Sequence, residues 1–248
     1  MNPTQASALP VALGADREKS KQPITDIRLV VFDLDGTLID SKTDLVLSVN
    51  ATLENLGRKT LDTETISSYV GQGSQVLIQK ALGMGCTPEE VAMSLEFFMG
   101  HYREHKLDNT VLYEGVRETL KHLAKGNHRG ERALAVLTNK PERVSREIIQ
   151  ELDLMTLFRC VYGGNSFEKK KPDPAGLRTI LDETGVAPAE AMIVGDSDID
   201  VRTGVAAGTR TCGVTYGFGK LDLDANPPDV LVSSFGELVA VIEQDGTA

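Results

Sequence analysis

The sequence contains few cysteines, and their positions argue against a disulfide-stabilised fold and against a zinc site. There are three, Cys86, Cys160 and Cys212, with wide spacing and no Cys-x-x-Cys pair. Disulfide-rich proteins carry an even, dense set of cysteines, and structural zinc sites need closely spaced pairs. We therefore expect the chain to work in a reducing compartment, the cytoplasm.

The sequence also lacks long apolar runs and an excess of positive charge. No stretch reaches the roughly 20 apolar residues that span a bilayer. Residues 8–15 superficially resemble a signal-peptide cleavage region, but no basic segment precedes them and Pro10 interrupts them, so we expect no export. With 26 lysines and arginines against 36 acidic residues, the formal charge of −10 argues against a nucleic-acid-binding surface. We expect neither a membrane nor a nucleic-acid partner, and local groups such as a metal or a lysine would hold an anionic ligand.

The pattern of apolar residues predicts an α/β fold. A chain of 248 residues, 41% of them apolar, can form one large core or two lobes. Short apolar runs near residues 29, 133 and 191 alternate with helical patterns, which predicts a Rossmann-like parallel sheet with helices on both faces. Residues 43–110 show only helical signals, such as the helix start Thr87-Pro88-Glu89-Glu90. We predict a mobile tail at 1–24, a core formed by 25–42 and 111–248, and an inserted all-helical cap at 43–110.

The first predicted strand ends in two carboxylates, in the segment Asp33-Leu34-Asp35-Gly36. Two acids held this close repel each other, so the site needs a cation or a shared proton. Mg²⁺ fits such a site because it prefers carboxylate oxygens together with substrate phosphate. Gly36 permits a sharp turn that a side chain would obstruct. The alternative is an ordinary loop in which Asp and Gly serve as turn formers.

Two further predicted strands end in polar groups, at Thr138-Asn139 and at Asp196. Because the carboxyl ends of parallel strands share one edge of a sheet, we expect these groups to converge on Asp33 and Asp35. Asp200 lies four residues after Asp196, on the same face of a helical turn. Helix capping is the alternative reading of this acidic segment and accounts well for Ser197 and Asp198.

One basic run, Lys169-Lys170-Lys171, precedes Pro172. Solvated surface positions account well for Lys169 and Lys170. The following proline restricts Lys171, which makes it the better candidate to neutralise a phosphate oxygen at the site.

Four segments in this order resemble the four motifs of the haloacid dehalogenase superfamily of phosphatases. They are residues 33–41, residues 137–140, Lys171-Pro172 and residues 195–200, and the match is collinear across almost the whole chain after the tail. Further segments, residues 69–77, 163–166, 215–219 and 228–229, resemble bacterial phosphoglycolate phosphatases. Two features depart from that pattern: Asn165 stands where the family usually has Asp, and the N-terminal tail is longer than typical.

The resemblance implies a Mg²⁺-dependent phosphomonoester hydrolase that works through an aspartyl-phosphate and converts 2-phosphoglycolate to glycolate and phosphate. Asp33 would attack phosphorus. Asp35 would protonate the leaving oxygen and then activate water. Asp33, the backbone carbonyl of Asp35, and Asp196 would hold Mg²⁺.

The resemblance also implies roles for the residues around the phosphate. Thr138, Asn139, Lys171 and the backbone amides up to Gly36 would contact phosphoryl oxygens, and Asp200 would orient Lys171 or a metal-bound water. The helical insert would close over the core as a cap, with hinges at residues 40–43 and 109–114. Gln72, Gly73 and Ser74 would offer polar contacts to a small carboxylate, although a simple interhelix turn explains them equally well.

Several alternatives remain open within and outside this superfamily. The substrate could be a sugar phosphate or pyrophosphate, and a phosphomutase or a phosphonatase would have the same core. Phosphonatases form a Schiff base with a cap lysine, for which Lys59, Lys80 and Lys106 are candidates. A dehalogenase is disfavoured because it does not need the acid Asp35. A non-catalytic phospholigand-binding module is also disfavoured because a binder gains little from clustered acids. We expect a monomer or homodimer whose partner is a small phosphorylated metabolite.

Overall fold

The structure, a computed structural model, describes residues 26–126 and 130–243, so the predicted tail at 1–24 lies outside the described residues. The strands are β1 (Leu29–Phe32), β2 (Ile39–Asp40), β3 (Val111–Leu112), β4 (Ala133–Leu137), β5 (Cys160–Tyr162), β6 (Ala191–Gly195), β7 (Arg210–Val214) and β8 (Val230–Val232). The α-helices are α1 (Lys42–Asn55), α2 (Thr63–Ser67), α3 (Ser74–Leu82), α4 (Pro88–His105), α5 (Val116–Ala124), α6 (Glu142–Glu151), α7 (Ala175–Thr184), α8 (Asp198–Ala207) and α9 (Glu237–Ile242). Short 3-10 helices occupy Met155–Leu157 and Pro188–Glu190.

Six strands form one parallel sheet in the order β5-β4-β1-β6-β7-β8. All four residues of β1 are buried, as expected for an apolar strand covered on both faces. Val30 and Phe32 pack in a core with α5, α6 and α9, whereas Leu29 and Val31 pack with α7 on the opposite face. The predicted α/β fold, a parallel sheet with helices on both faces, is confirmed.

The start of α4 follows from a capping signal in the sequence. The hydroxyl of Thr87 accepts a hydrogen bond from the amide of Glu90 at 3.2 Å, and the carboxylate of Glu90 accepts one from the amide of Thr87 at 2.8 Å. This capping box, with Pro88 in the first turn, begins α4 where the sequence predicts it.

No helix within the described ranges 26–126 and 130–243 is long and apolar enough to cross a membrane.

Helices α1 to α4 lie between β2 and β3 in the sequence and pack on one another. We call them the helical insertion (residues 42–105). β2 and β3 pair antiparallel and connect the insertion to the sheet. This pair of strands is not predictable from the sequence, because two-residue strands carry no periodicity. The two strands lie at the segments predicted as hinges, residues 40–43 and 109–114. The division into two domains stays a prediction.

The buried carboxylate of Asp44 links the start of α1 to the segment that follows the helical insertion. It accepts hydrogen bonds from the backbone amides of Asn109 and Thr110 at 2.8 to 3.1 Å. The side chains of the same two residues donate to it at 2.8 and 2.7 Å. A buried carboxylate with this many donors is well satisfied, so it fixes the start of α1 against the chain that returns to the sheet.

The register of the sheet places the candidate residues at one edge. Phe32, the last residue of β1, lies opposite Val136 of β4 and Val194 of β6. The residues that follow these strands, among them Asp33 and Asp196, therefore emerge together at the carboxyl edge of the sheet.

Candidate active site

A cavity of about 210 Å³ lies between this sheet edge and the helical insertion. The predicted site residues that line it are Asp33, Asp35, Gln72, Gly73, Ser74, Thr138, Asn139 and Asp196. Lys171 and Asp200 lie next to Asp33 and complete the buried polar cluster. The convergence predicted from the strand ends is therefore present.

Asp33 is a buried carboxylate that two donors hold through one oxygen. Its Oδ1 accepts a hydrogen bond from the backbone amide of Leu34 at 2.8 Å and lies 3.0 Å from Nζ of Lys171 in an ion pair. Burial raises the pKa of Asp33 to about 6, with Asp200 adding to the shift and Lys171 opposing it. Among residues 26–126 and 130–243 both contacts are to Oδ1, so Oδ2 is the oxygen available to a ligand.

Three buried carboxylates form a candidate cation site. Asp33, Asp196 and Asp200 can each bring one oxygen within 4.8 Å of the others. Burial, followed by the charges of Asp200 and Asp33, raises the pKa of Asp196 to about 8. Carboxylate oxygens are the ligands that a hard divalent cation prefers, and its charge would offset the repulsion among the three acids. The residues present therefore fit a metal ion.

Asp200 differs from the other two acids because protein groups already hold it. Its Oδ1 accepts a hydrogen bond from Nζ of Lys171 at 2.6 Å, and its Oδ2 accepts one from the hydroxyl of Ser197 at 2.7 Å. This geometry suits the predicted role of Asp200 in orienting Lys171. It also agrees with the capping alternative, because Ser197 and Asp200 form a capping box at the start of α8.

Glycines allow the chain to approach Asp196 closely. Its Oδ2 accepts hydrogen bonds from the backbone amides of Phe218 at 3.1 Å and Gly219 at 2.7 Å. A Cβ atom on Gly36 or Gly219 would overlap the Asp196 carboxylate. Residues 215–219 resemble the family without a role that their sequence reveals, and in the structure Phe218 and Gly219 of this segment support Asp196.

The amide of Gly36 has a partner inside its own turn. Gly36 adopts a φ of +79°, which favours glycine, and its N–H donates to the carbonyl of Ile39 at 2.9 Å. The predicted contact between this amide and a phosphate would require that hydrogen bond to open, and it stays a prediction.

Lys171 is buried between two carboxylates, while Lys169 and Lys170 are exposed, as predicted. Burial lowers the pKa of Lys171, but Asp200 and Asp33 more than offset it and hold the pKa above its usual value. Lys171 is therefore a permanent cation beside Asp33.

Asp35 faces a different set of partners from Asp33. Its Oδ1 accepts hydrogen bonds from the hydroxyl of Ser41 at 2.5 Å and from Nζ of Lys140 at 2.9 Å. Lys140 also donates to the hydroxyl of Tyr102, on α4, at 2.7 Å. Burial lowers the pKa of Lys140, but Asp35 and Tyr102 more than offset it. Burial raises the pKa of Tyr102 to about 12, so its hydroxyl stays protonated.

Lys140 and Tyr102 are not among the site residues predicted from the sequence. Lys140 could have been found from its position directly after Thr138-Asn139. Tyr102 carries no such signal, because one aromatic residue on the buried face of a helix is ordinarily a core residue.

Asn139 uses its side-chain amide to join the helical insertion to the core. Its Nδ2 donates to the carbonyl of Gly71 at 2.9 Å and to the carbonyl of Lys171 at 3.0 Å. Its Oδ1 is buried and has no hydrogen-bond partner within the described part of the chain. The predicted contact of Asn139 with a phosphate stays a prediction, and Thr138, also buried, lines the cavity beside it.

The charge on the acidic cluster leads to a pH-dependent prediction for the metal-free protein. Folding raises the pKa of Asp33 and of Asp196 from 3.8 to about 6 and about 8, so the folded state binds their protons more tightly. The free energy of unfolding should therefore fall as the pH rises through this window. Magnesium chloride should then raise the melting temperature more at about pH 8 than at about pH 5. Thermal unfolding with and without the salt tests this, and equal increases at both pH values would contradict it.

Comparison with known proteins identifies relatives across most of the chain. Residues 30–214 match the family model described as haloacid dehalogenase-like hydrolase. A phosphoglycolate phosphatase from Pseudomonas putida is 39% identical over 224 residues, which cover 88% of this chain and 80% of the relative. A phosphoglycolate phosphatase from Vibrio parahaemolyticus is 34% identical over 224 residues, covering 88% and 96%.

Solved structures show the same architecture. A crystal structure from Haemophilus somnus, described as a predicted phosphoglycolate phosphatase, superposes with a TM-score of 0.82 and 31% identity. The match covers 88% of this chain and 98% of that protein.

Proposed function

The chain belongs to the haloacid dehalogenase-like hydrolase family, and from this we propose that it is a Mg²⁺-dependent phosphatase that converts 2-phosphoglycolate to glycolate and phosphate. The observation that carries the proposal is the meeting of Asp33, Asp196 and Lys171 at one edge of the sheet. This cluster puts a carboxylate beside both a cation site and a lysine, which suits attack on an anionic phosphoryl group. The names of the Pseudomonas and Vibrio relatives support 2-phosphoglycolate as the substrate.

Asp33 is the proposed nucleophile. Leu34 and Lys171 hold Oδ1, so Oδ2 attacks phosphorus and the ester oxygen leaves with its alcohol. The product on the protein is an aspartyl-phosphate, which water then hydrolyses to restore the carboxylate and release phosphate.

Asp35 is the proposed general acid and base. It needs to carry a proton when the substrate is bound: this proton passes to the leaving oxygen in the first step, and Asp35 takes a proton from the attacking water in the second, which restores it. The contacts with Ser41 and Lys140 fix the orientation of its carboxylate.

The proposed metal ligands are Asp33, the backbone carbonyl of Asp35, and Asp196. When bound there, Mg²⁺ would neutralise negative charge on the phosphoryl oxygens. An all-oxygen donor set suits this ion. The amides of Phe218 and Gly219 orient Asp196, and the Asp35 carboxylate is left for proton transfer.

Lys171 and Thr138 are the proposed contacts for the remaining phosphoryl oxygens. Lys171 supplies a fixed positive charge, which Asp200 holds in place. Asn139 and Gly36 would add donors once their present hydrogen bonds give way.

We propose that the helical insertion acts as a cap that excludes water from the reaction. Two contacts between the insertion and the core support a closed position: Asn139 with the carbonyl of Gly71, and Lys140 with Tyr102. Gln72, Gly73 and Ser74 line the cavity, where they could contact the organic part of the substrate.

The structure gives little support to a phosphonatase. None of Lys59, Lys80 and Lys106 is among the described residues that line the cavity. Nζ of Lys106 lies 3.0 Å from a carboxylate oxygen of Glu151, and Nζ of Lys80 lies over the ring of Tyr69.

A panel of phosphate esters tests the proposed substrate. With Mg²⁺, kcat/KM for 2-phosphoglycolate should exceed the values for phosphoserine, pyrophosphate and sugar phosphates by at least about tenfold. A higher value for another ester would show that the substrate is wrong. Retained phosphate binding without release of phosphate from any ester would instead identify a binding module.

A further inference from the structure

Lys140 is a buried cation in the wall of the cavity. Its side chain is 4% exposed, and its Nζ lies 2.9 and 3.1 Å from the two carboxylate oxygens of Asp35. The hydroxyl of Tyr102 accepts another hydrogen bond at 2.7 Å, and Nζ lies 4.4 Å from the centroid of the Tyr102 ring. The three N–H donors of the ammonium group meet three acceptors, and two of these are the oxygens of the single Asp35 carboxylate, so a ligand carboxylate would take the place of one Asp35 oxygen as an acceptor.

The surroundings of Lys140 favour an anionic partner. Leu45, Phe98 and Val144 line the same cavity, and an apolar wall strengthens the attraction between opposite charges. The other buried lysine of the site, Lys171, already faces the two carboxylates Asp33 and Asp200. Lys140 faces only one carboxylate within the described part of the chain.

The position of Lys140 relative to Asp35 determines which part of a substrate it meets. In the proposed reaction Asp35 gives its proton to the leaving oxygen, so the alcohol lies beside the Asp35 carboxylate. The carbon attached to that oxygen, and any group on it, then lies close to Nζ of Lys140. In 2-phosphoglycolate that group is a carboxylate.

We propose that Lys140 is the specificity-determining residue of the site and binds a carboxylate on the first carbon of the leaving alcohol. This inference rests on the proposed function and deepens it. The selected class is phosphate esters of 2-hydroxy acids, of which 2-phosphoglycolate is the smallest member. Gln72, Gly73 and Ser74 contribute polar atoms to the same cavity but no positive charge.

Tyr102 acts as a positioning residue for Lys140. It belongs to α4 of the helical insertion, whereas Lys140 follows β4 of the core. The hydroxyl of Tyr102 therefore fixes Nζ of Lys140 only while the insertion lies against the core. Recognition of the carboxylate is thereby coupled to closure of the insertion.

A matched pair of substrates tests the proposal. Ethyl phosphate has the same chain length as 2-phosphoglycolate, with a methyl group in place of the carboxylate. The measurement is kcat/KM for both esters with Mg²⁺, in the wild type and in Lys140→Met, Lys140→Arg and Lys220→Met. Lys220 is an exposed lysine that lines the same cavity, and its replacement makes the same change in net charge.

We expect the wild type to prefer 2-phosphoglycolate to ethyl phosphate by about a hundredfold. Lys140→Met should reduce this preference at least about tenfold, because a buried charged partner is lost. Lys140→Arg should keep most of the preference, and Lys220→Met should change it less than about threefold, because water screens an exposed charge. Equal losses for both esters in Lys140→Met would overturn the proposal and leave Lys140 as a residue that only orients Asp35.

Two further measurements keep the proposal testable if Lys140→Met is inactive. Tyr102→Phe keeps the charge, and it should raise KM for 2-phosphoglycolate several-fold with little change for ethyl phosphate; equal changes would count against the positioning role. The wild type should also hydrolyse O-phosphoethanolamine, which carries an ammonium group, more slowly than ethyl phosphate. Equal or faster hydrolysis would overturn the proposal while the phosphatase function stands. If none of the three esters is hydrolysed, the proposed function itself is refuted.

Discussion

Replacing Asp33 by Asn should lower the rate of phosphate release by at least about ten-thousandfold. A carboxamide is a poor nucleophile and cannot form the aspartyl-phosphate through which the proposed reaction passes. The fold should survive because Asn has the same shape and removes a negative charge from a crowded acidic cluster. Burial raises the pKa of Asp33 to about 6, so the folded protein already tolerates a neutral side chain there. The melting temperature in EDTA should therefore be equal to or above that of the wild type.

The matched control for this experiment is Asp62→Asn. Asp62 caps α2 by accepting a hydrogen bond from the amide of Thr65 at 2.8 Å, and Asn can make the same cap. Asp62→Asn makes the same chemical change as Asp33→Asn but outside the cavity, so its activity should stay close to that of the wild type. Near-wild-type turnover in Asp33→Asn would refute the assignment of the nucleophile.

Replacing Asp196 by Asn should reduce phosphate release by about a thousandfold at ordinary Mg²⁺ concentrations, which corresponds to the loss of several kcal/mol of charge stabilisation. The loss should decrease as Mg²⁺ is raised, because the ligand set is weakened and not removed. Removing the metal from the wild type with EDTA should abolish turnover, and excess Mg²⁺ should restore it. Titration of the rate with Mg²⁺ checks both statements.

The result that would contradict this account is a rate that EDTA does not change. A second contradictory result would be an Asp196→Asn variant with the same Mg²⁺ dependence as the wild type. Either outcome would mean that the acidic cluster at the edge of the sheet does not hold the metal that the reaction needs.

The central part of the site was predictable from the sequence because its residues lie in short segments that follow the apolar strands. Asp33 and Asp196 each follow an apolar strand, and parallel strands bring their carboxyl ends together. The buried position of Lys171 agrees with its place before Pro172, and the register of β1 with β4 and β6 explains the convergence.

The contacts that sequence analysis missed join residues that are distant in the chain. Tyr102 and Lys140 are 38 positions apart, and Asp196 is 22 positions from Phe218. Nothing local marks such pairs, because the distance between them is set by how the helical insertion and the loops fold back on the sheet. For the same reason the direction of the Asn139 side-chain amide could not be predicted.

The departure from the family pattern at Asn165 has a physical explanation. Oδ1 of Asn165 accepts a hydrogen bond from the amide of Glu142, the first residue of α6, at 2.8 Å. An Asp carboxylate in this place could accept the same hydrogen bond. The exposed Asn165 therefore supports the start of a helix, and the change leaves the catalytic cluster as it is.

Rapid-quench analysis of the protein during turnover of 2-phosphoglycolate tests the central claim most directly. After acid quenching, the peptide that contains Asp33 is examined for phosphate bound to that side chain, and reduction with borohydride converts the acyl phosphate to homoserine. We predict transient phosphorylation at Asp33, with glycolate released before phosphate, and neither in Asp33→Asn. Phosphate carried by another residue, or full turnover by the Asp33→Asn variant, would contradict the account.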